Sequence, residues 1–325
     1  RHAHRRDDAH PRQSRSGGVS VDEFVVSVEQ LTKRYGDLVA VDQISFAIRP
    51  GEVFGLLGPN GAGKTSTLEC LEGLRTPDGG ALRILGVDPV RHPRKLRDLI
   101  GVQLQSASLP DTIRVDEAMR LFCAYHGVPP RYDLLERMHL GAKAHAQYHE
   151  LSAGQQRRLA LALAVAHDPP VLFLDEPTAG LDVPARVELH ALIRELQAGE
   201  TTIILATHDM AEAEELADRV AILLRGRVAA TGSPLELTAT GAALTKISVR
   251  TQDGCLLDAP VTFTAAQQAA TKGEYAIYFS EDTAQTVAAI LAHLAAQSDP
   301  LVDLRVERPS LEDRFLEIVT EGAAP

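Results

Sequence analysis

Gly58-Pro59-Asn60-Gly61-Ala62-Gly63-Lys64-Thr65 fits the pattern GxxxxGK(S/T). Its flanks decide how it is read. The apolar run EVFGLLG, residues 52–58, precedes it, and the helix-like KTSTLECLEG, residues 64–73, follows, with Gly73 placed to stop that helix. Strand, glycine-rich loop and helix in this order predict a phosphate-binding unit. The glycines let consecutive backbone N–H groups turn toward one anion, and the helix N-terminus adds a favourable dipole. Lys64 supplies positive charge to the β and γ phosphates of a nucleotide, and the Thr65 hydroxyl is placed to bind Mg²⁺.

Working outward, FVVSVEQL and VDQISFAI, split by Gly36 and Asp37, predict a hairpin or small antiparallel sheet ahead of the loop. Beyond it, ALRILG and IGVQLQ read as short strands around the basic RHPRKLRDL, and a mostly helical insertion, about residues 106–165, is broken by GVPPRYD. Apolar runs then alternate with helices. RRLALALAVA leads to VLFLDEP, VPARVELHALIRELQAG to TTIILATH, and DMAEAEELAD to RVAILLRGRVAATG. That alternation is what a parallel sheet covered on both faces requires, so residues 21–235 read as one α/β domain. After Gly232 and Pro234 the pattern changes, and residues 236–325 are expected to form a small α+β domain. Its strands are read as KISVRT, VTFT, EYAIYFS and LVDLRVER. A helix with Val287, Ile290, Leu291 and Leu294 on one face and a final amphipathic helix, SLEDRFLEIV, complete it.

The strand Val171 to Asp175 runs into a second acid, Glu176, at the edge where parallel sheets bind ligands. Asp175 suits Mg²⁺, directly or through water. Glu176 suits polarising an attacking water. Other polar clusters take plainer readings: His145, Tyr148 and His149 as surface residues, EAEE at 212–215 as a solvated helix face, and Cys70 as a packed small hydrophobe.

Composition narrows the class. A chain of 325 residues with 45% hydrophobic and 24% charged residues is an ordinary globular composition, and a net charge of -11 argues against a general nucleic-acid binder. The three cysteines are widely separated and show no metal-ligand spacing, which points to a reducing compartment. The longest helical apolar run, Leu159 to Ala166, is far short of the roughly 18 residues that span a bilayer, so membrane association is expected to go through a partner. Residues 1–20, rich in Arg and His, read as a disordered extension, and no apolar segment there reads as a signal peptide.

Leu151-Ser152-Ala153-Gly154-Gln155, between the loop and the carboxylates, resembles the LSGGQ signature of the ABC ATPase family. The resemblance covers about residues 24–235 and implies a P-loop NTPase fold with an antiparallel β subdomain and a helical subdomain. It implies that Ser152, Gly154 and Gln155 meet the γ-phosphate held by an opposite subunit, so that two copies pair head to tail around ATP and Mg²⁺. Further positions match the family one by one. Tyr35 looks like the aromatic that stacks on adenine, and Ser66 extends the phosphate loop. Gln105 resembles the glutamine that reaches Mg²⁺ and the water, with Gln103 the competing candidate. Asp182 matches the loop that crosses the dimer interface, and His208 the histidine that contacts the γ-phosphate. Ala153 departs from the family's usual glycine, and a φ > 0 there would be strained.

The helix Pro309 to Val319 resembles the C-terminal end of ATPases of daunorubicin-type exporters. That implies a separate transmembrane permease, a place at the cytoplasmic face of the cell membrane, and export of a drug, antibiotic or lipid-like compound. The alternative is a soluble ABC ATPase acting in DNA repair or on ribosomes.

Overall fold

The computed structural model describes residues 24–104, 109–239, 244–257 and 261–321. The expected extension at residues 1–20 and the candidate Gln105 lie outside them.

β1 (Val26–Tyr35) and β2 (Leu38–Ile48) form the expected hairpin. β3 (Val53–Leu57) leads through the glycine loop into α1 (Lys64–Leu71). Gly73, at φ 74°, ends α1: its N–H reaches Cys70 O while that of Leu74 reaches Glu69 O, the paired bonds of a Schellman cap. β4 (Gly79–Ile84) then joins β1 on the side away from β2, so the strand-like ALRILG belongs to the antiparallel subdomain.

After α2 (Pro93–Arg97) and β5 (Ile100–Gln103) come the helices of the insertion, α3 (Val115–Tyr125), α4 (Tyr132–Arg137) and α5 (Ala153–Ala164). The αβ alternation resumes as β6 (Val171–Asp175), α6 (Val183–Ala198), β7 (Thr202–Thr207), α7 (Met210–Leu216) and β8 (Arg219–Leu224). β9 (Arg227–Gly232) returns antiparallel at the sheet edge, and α8 (Pro234–Ala239) follows.

The central sheet has the order β5-β6-β7-β3-β8-β9. β3, β6 and β7 are buried throughout, and their residues alternate between two cores. Leu172, Leu174, Ile203 and Leu205 enter the core shared with the helical insertion, whereas Phe54, Leu56, Phe173 and Ile204 enter the one shared with α1 and the antiparallel subdomain. Because β3 lies beside β7 and β7 beside β6, all parallel, their C-terminal ends open on one edge.

The C-terminal segment holds a four-stranded antiparallel sheet built from β10 (Thr245–Thr251), β11 (Ala266–Lys272), β12 (Tyr275–Ser280) and, after α9 (Thr283–Gln297), β13 (Leu301–Glu307). The expected strand VTFT is not one: Phe263 only bridges to Ala266 across a tight turn, and the strand lies further on, at AQQAATK. That segment has little intrinsic strand character and owes its extension to pairing with β12 across the Gly273 turn, φ 60°. Leu291 also departs from expectation. Thr286, Ile290 and Leu294 define the buried face of α9, and Leu291, one position round, is 43% exposed. The last helix, α10 (Leu311–Glu321), leaves this sheet and packs on α7 and α8, so parts of the segment 236–325 share a core with the first domain.

EAEE is a solvated face only at Glu214 and Glu215. Glu212 is buried beside His190, whose Nε2 lies 3.5 Å away, Glu214 accepts the Leu311 N–H, and Glu215 pairs with His190 and Arg194. α7 is held from two sides, by α6 and α10, and its acids are the handles.

Candidate functional site

The loop keeps its shape because no larger residue fits at Gly58 or Gly63. Gly63, the N-cap of α1, has φ 102°, and a Cβ there would stand 2.4 Å from Ala40 O; one on Gly58 would stand 2.4 Å from Leu223 O. No side chain caps α1 and its first turn holds no acid, so its leading amides remain available to an anion.

Lys64 folds back over this loop, its Nζ donating to Gly58 O at 2.8 Å and Pro59 O at 3.3 Å, with Glu176 Oε1 at 3.7 Å. Burial pushes its ammonium below the ordinary value, against the pull of Glu176 and Asp175 toward the charged form. Thr65 donates its hydroxyl to Asp175 Oδ2 at 3.1 Å. Asp175 is buried, its pKa is raised chiefly by that burial, and its Oδ1 finds no hydrogen-bond partner. A buried carboxylate oxygen with one free lone-pair side, next to a hydroxyl and facing a phosphate loop, fits a hard divalent cation such as Mg²⁺.

Glu176 follows β6 in the left-handed region, φ 49°, an uncommon setting for a non-glycine residue and one found at strained functional positions. Its N–H donates to Ala206 O at the end of β7, and its Oε2 meets His208 Nδ1 at 2.7 Å. The turn thus aims the carboxylate toward Lys64 on one side and His208 on the other. His208 itself is half-exposed.

Tyr35, at the end of β1, lines the same cleft, about 440 Å³, together with Asn60, Lys64, Thr65, Ser66 and Glu176. Its hydroxyl lies 3.3 Å from Ser66 Oγ, and Lys33 and Arg75 stand 5.4 and 5.9 Å from its ring centroid. The two cations were missed in the sequence. Their only signal is that the turns ending β1 and α1 converge, which spacing does not reveal.

Ser152, Gly154 and Gln155 line no part of that cleft. They open α5, where Ser152 Oγ accepts the Gln155 N–H at 3.3 Å and Gln155 Oε1 accepts the Ser152 N–H at 3.0 Å, a reciprocal capping box. Ala153 is the first residue of this helix and is not among the residues with positive φ, so the departure from glycine carries no backbone strain. Asp182 likewise lies outside the cleft and caps α6, accepting the Ala185 N–H at 3.0 Å. Gln103 is sealed inside, with no partner for its amide, beside Tyr148 and Gln156.

Glu72, at the end of α1, is a further buried acid that the sequence reading passed over. Burial, then the neighbouring Asp175 and Glu69, push it up to about 8. Among the described residues there is no cluster of three or more His, Cys, Asp or Glu able to hold a metal by itself.

A family model described as ABC transporter matches residues 41–179. The chain is 37% identical over 302 residues to the Nod factor export ATP-binding protein I of Ralstonia nicotianae, covering 90% of this chain and 93% of that protein. Among solved structures, cbiO1 from Clostridium perfringens, part of the ABC transporter complex cbiONQ, superposes with a TM-score of 0.61 at 32% identity, over 67% of this chain and 92% of that one. The dimeric post-hydrolysis structure of the ATP-binding cassette MJ0796 bound to ADP and Pi superposes with a TM-score of 0.59 at 25% identity, over 64% of this chain and 98% of that one.

Proposed function

Because the chain belongs to the ATP-binding subunits of ABC transporters, and so binds and hydrolyses ATP, we propose that it works as a head-to-tail pair that drives export through a separate membrane subunit. The observation that carries the site reading is the convergence of Lys64, Asp175, Glu176 and His208 at the ends of three adjacent strands.

In this reading the triphosphate lies along the glycine loop with its adenine on Tyr35. Lys64 exchanges the Gly58 and Pro59 carbonyls for the β and γ phosphate oxygens. Thr65 and Asp175, with Gln105, would hold Mg²⁺, which when bound neutralises the charge on those oxygens. Glu176 accepts a hydrogen bond from the attacking water and orients it in line with the γ-phosphate, and His208 holds that carboxylate in place and faces the γ-phosphate itself. Phosphoryl transfer needs positioning and charge stabilisation more than covalent chemistry, and these side chains supply both.

Pairing follows from the signature. Ser152 and the amides of Gly154 and Gln155 open a helix outside their own chain's cleft, and in this reading a second copy brings them to the nucleotide. The solved dimeric cassette supports pairing as such. Among the described residues no helix is long and apolar enough to cross a membrane, and the transported compound is met by the membrane subunit. A relative named for Nod factor export supports the export direction; in this reading the cargo is a drug, antibiotic or lipid-like compound and the chain is held at the cytoplasmic face of the membrane.

The deciding experiment is Glu176→Gln. We expect hydrolysis to fall at least a hundredfold while ATP still binds, and the variant to run as an ATP-dependent dimer on size exclusion. Unchanged turnover would remove Glu176 from the water-positioning role.

A further inference from the structure

α10 is amphipathic by spacing alone, but its spacing does not say what it covers. In the structure Leu311, Phe315 and Ile318, at i, i+4 and i+7, enter a core with Met210 and Ala213 of α7, Leu237 of α8, Val220 and Ile222 of β8, and Leu57. Leu57 immediately precedes the phosphate loop, and Met210 stands two residues after His208. The helix start is tied down as well. Ser310 and Asp313 close a capping pair, and the Leu311 N–H donates to Glu214 Oε2 on α7 at 3.2 Å, placing a carboxylate at the positive end of α10.

His208 therefore sits on a short span between two supports, β7 and α7. β7, on its N-terminal side, is locked in the sheet between β3 and β6. α7, on its C-terminal side, begins at Asp209, whose carboxylate caps the helix at the Glu212 N–H and pairs with Arg186. Against α6, α7 is held by the buried His190 and Glu212 contact; against the C-terminal segment it is held by Leu311, Phe315 and Glu214.

We propose that α10 is a positioning element for hydrolysis: by clamping α7 it fixes the direction in which His208 leaves β7, and so the 2.7 Å contact with Glu176. The C-terminal segment thereby acts on the chemical step without touching the nucleotide. A shift of α10, such as a partner seated on the C-terminal sheet would impose, would lower turnover more than ATP binding, because β1, which carries Tyr35, and α1, which follows the glycine loop, pack in the other core and only Leu57 reaches the α10 cluster.

The inference rests on the role given to His208 above, and the test separates the two. In the full chain, Phe315→Ala combined with Ile318→Ala is expected to lower kcat at least fivefold with the ATP dissociation constant within twofold of wild type, and Phe315→Leu to retain at least half the wild-type kcat. Glu214→Ala, which removes only the acceptor for Leu311, is expected to lower kcat about twofold in a protein with unchanged circular dichroism, and it decides the matter if the double variant does not fold. A kcat unchanged in these variants, or a loss matched by weaker ATP binding, overturns the positioning role. His208→Ala is measured alongside: if it abolishes turnover while the α10 variants do not alter kcat, only the clamp is wrong, whereas an active His208→Ala removes the histidine's role and the clamp with it.

Discussion

His208 Nδ1 and Glu176 Oε2 stand 2.7 Å apart although the residues come from neighbouring strands, β7 and β6, and 32 positions separate them in the chain. Each leaves the same sheet edge, and the left-handed turn at Glu176 closes the distance. His208→Ala should therefore lower kcat by about 10²-fold with little change in the KM for ATP, the size of effect expected when a proton-handling group loses its partner. Combined with Glu176→Gln, the loss should be no greater than that of Glu176→Gln alone, because both act on one water. Steady-state ATPase kinetics on the two single variants and the double variant check this.

Gly63→Ala tests the loop. The new methyl meets the Ala40 carbonyl at 2.4 Å and forces an alanine to φ 102°, so the variant should lose ~2 kcal/mol or more of stability. Nucleotide binding should fall further than stability, since the same backbone carries the phosphate amides. Urea midpoints and titration calorimetry with ATP measure the two losses separately.

Glu72 gives a pH signature. Its folded-state pKa of about 8 stands above the ordinary glutamate value, so the folded state binds the extra proton and is favoured below the unfolded pKa. As pH rises toward 8 that advantage is lost, at up to about 1.4 kcal/mol per pH unit. Glu72→Gln carries no such proton. The stability difference between variant and wild type should widen from pH 5 to pH 8 in the variant's favour, and equal slopes in denaturant melts across that range would show that Glu72 ionises normally.

Tyr35→Phe should bind ATP within about threefold of wild type, because stacking on adenine needs the ring rather than the hydroxyl near Ser66. Tyr35→Ala should bind about tenfold more weakly, in line with ~1–3 kcal/mol per stacked base. Equal affinities for the phenylalanine and alanine variants would place adenine elsewhere.

Asp175→Asn should raise the Mg²⁺ concentration needed for half-maximal hydrolysis severalfold, and chelation by EDTA should stop turnover in the wild type. The orphaned Asp175 Oδ1 predicts the direction: an amide in its place offers a weaker ligand to a hard cation. A variant with the wild-type Mg²⁺ dependence would assign the cation to other groups.

The placement of the glycine loop, Asp175, Glu176 and His208 at strand ends was legible because they stand directly at or after apolar strands, a pattern visible in one dimension. Their convergence was not, since strand order decides which edges meet. β11 escaped because its alanines and glutamines adopt extension only through pairing with β12. EAEE misled at Glu212 for a related reason: an acid looks solvated until another element covers it, as His190 does here. The concern over Ala153 dissolved because its position lies inside a helix, where a methyl is welcome.

The strand order also sets a schedule for biosynthesis. β3, which carries the phosphate loop, is made well before its neighbours on both sides, β7 and β8. At ~5–20 residues per second the wait is on the order of ten seconds, during which VFGLL lacks both of its native partners. A newborn chain cannot complete the sheet edge that carries its glycine loop until β7 and β8 have been made.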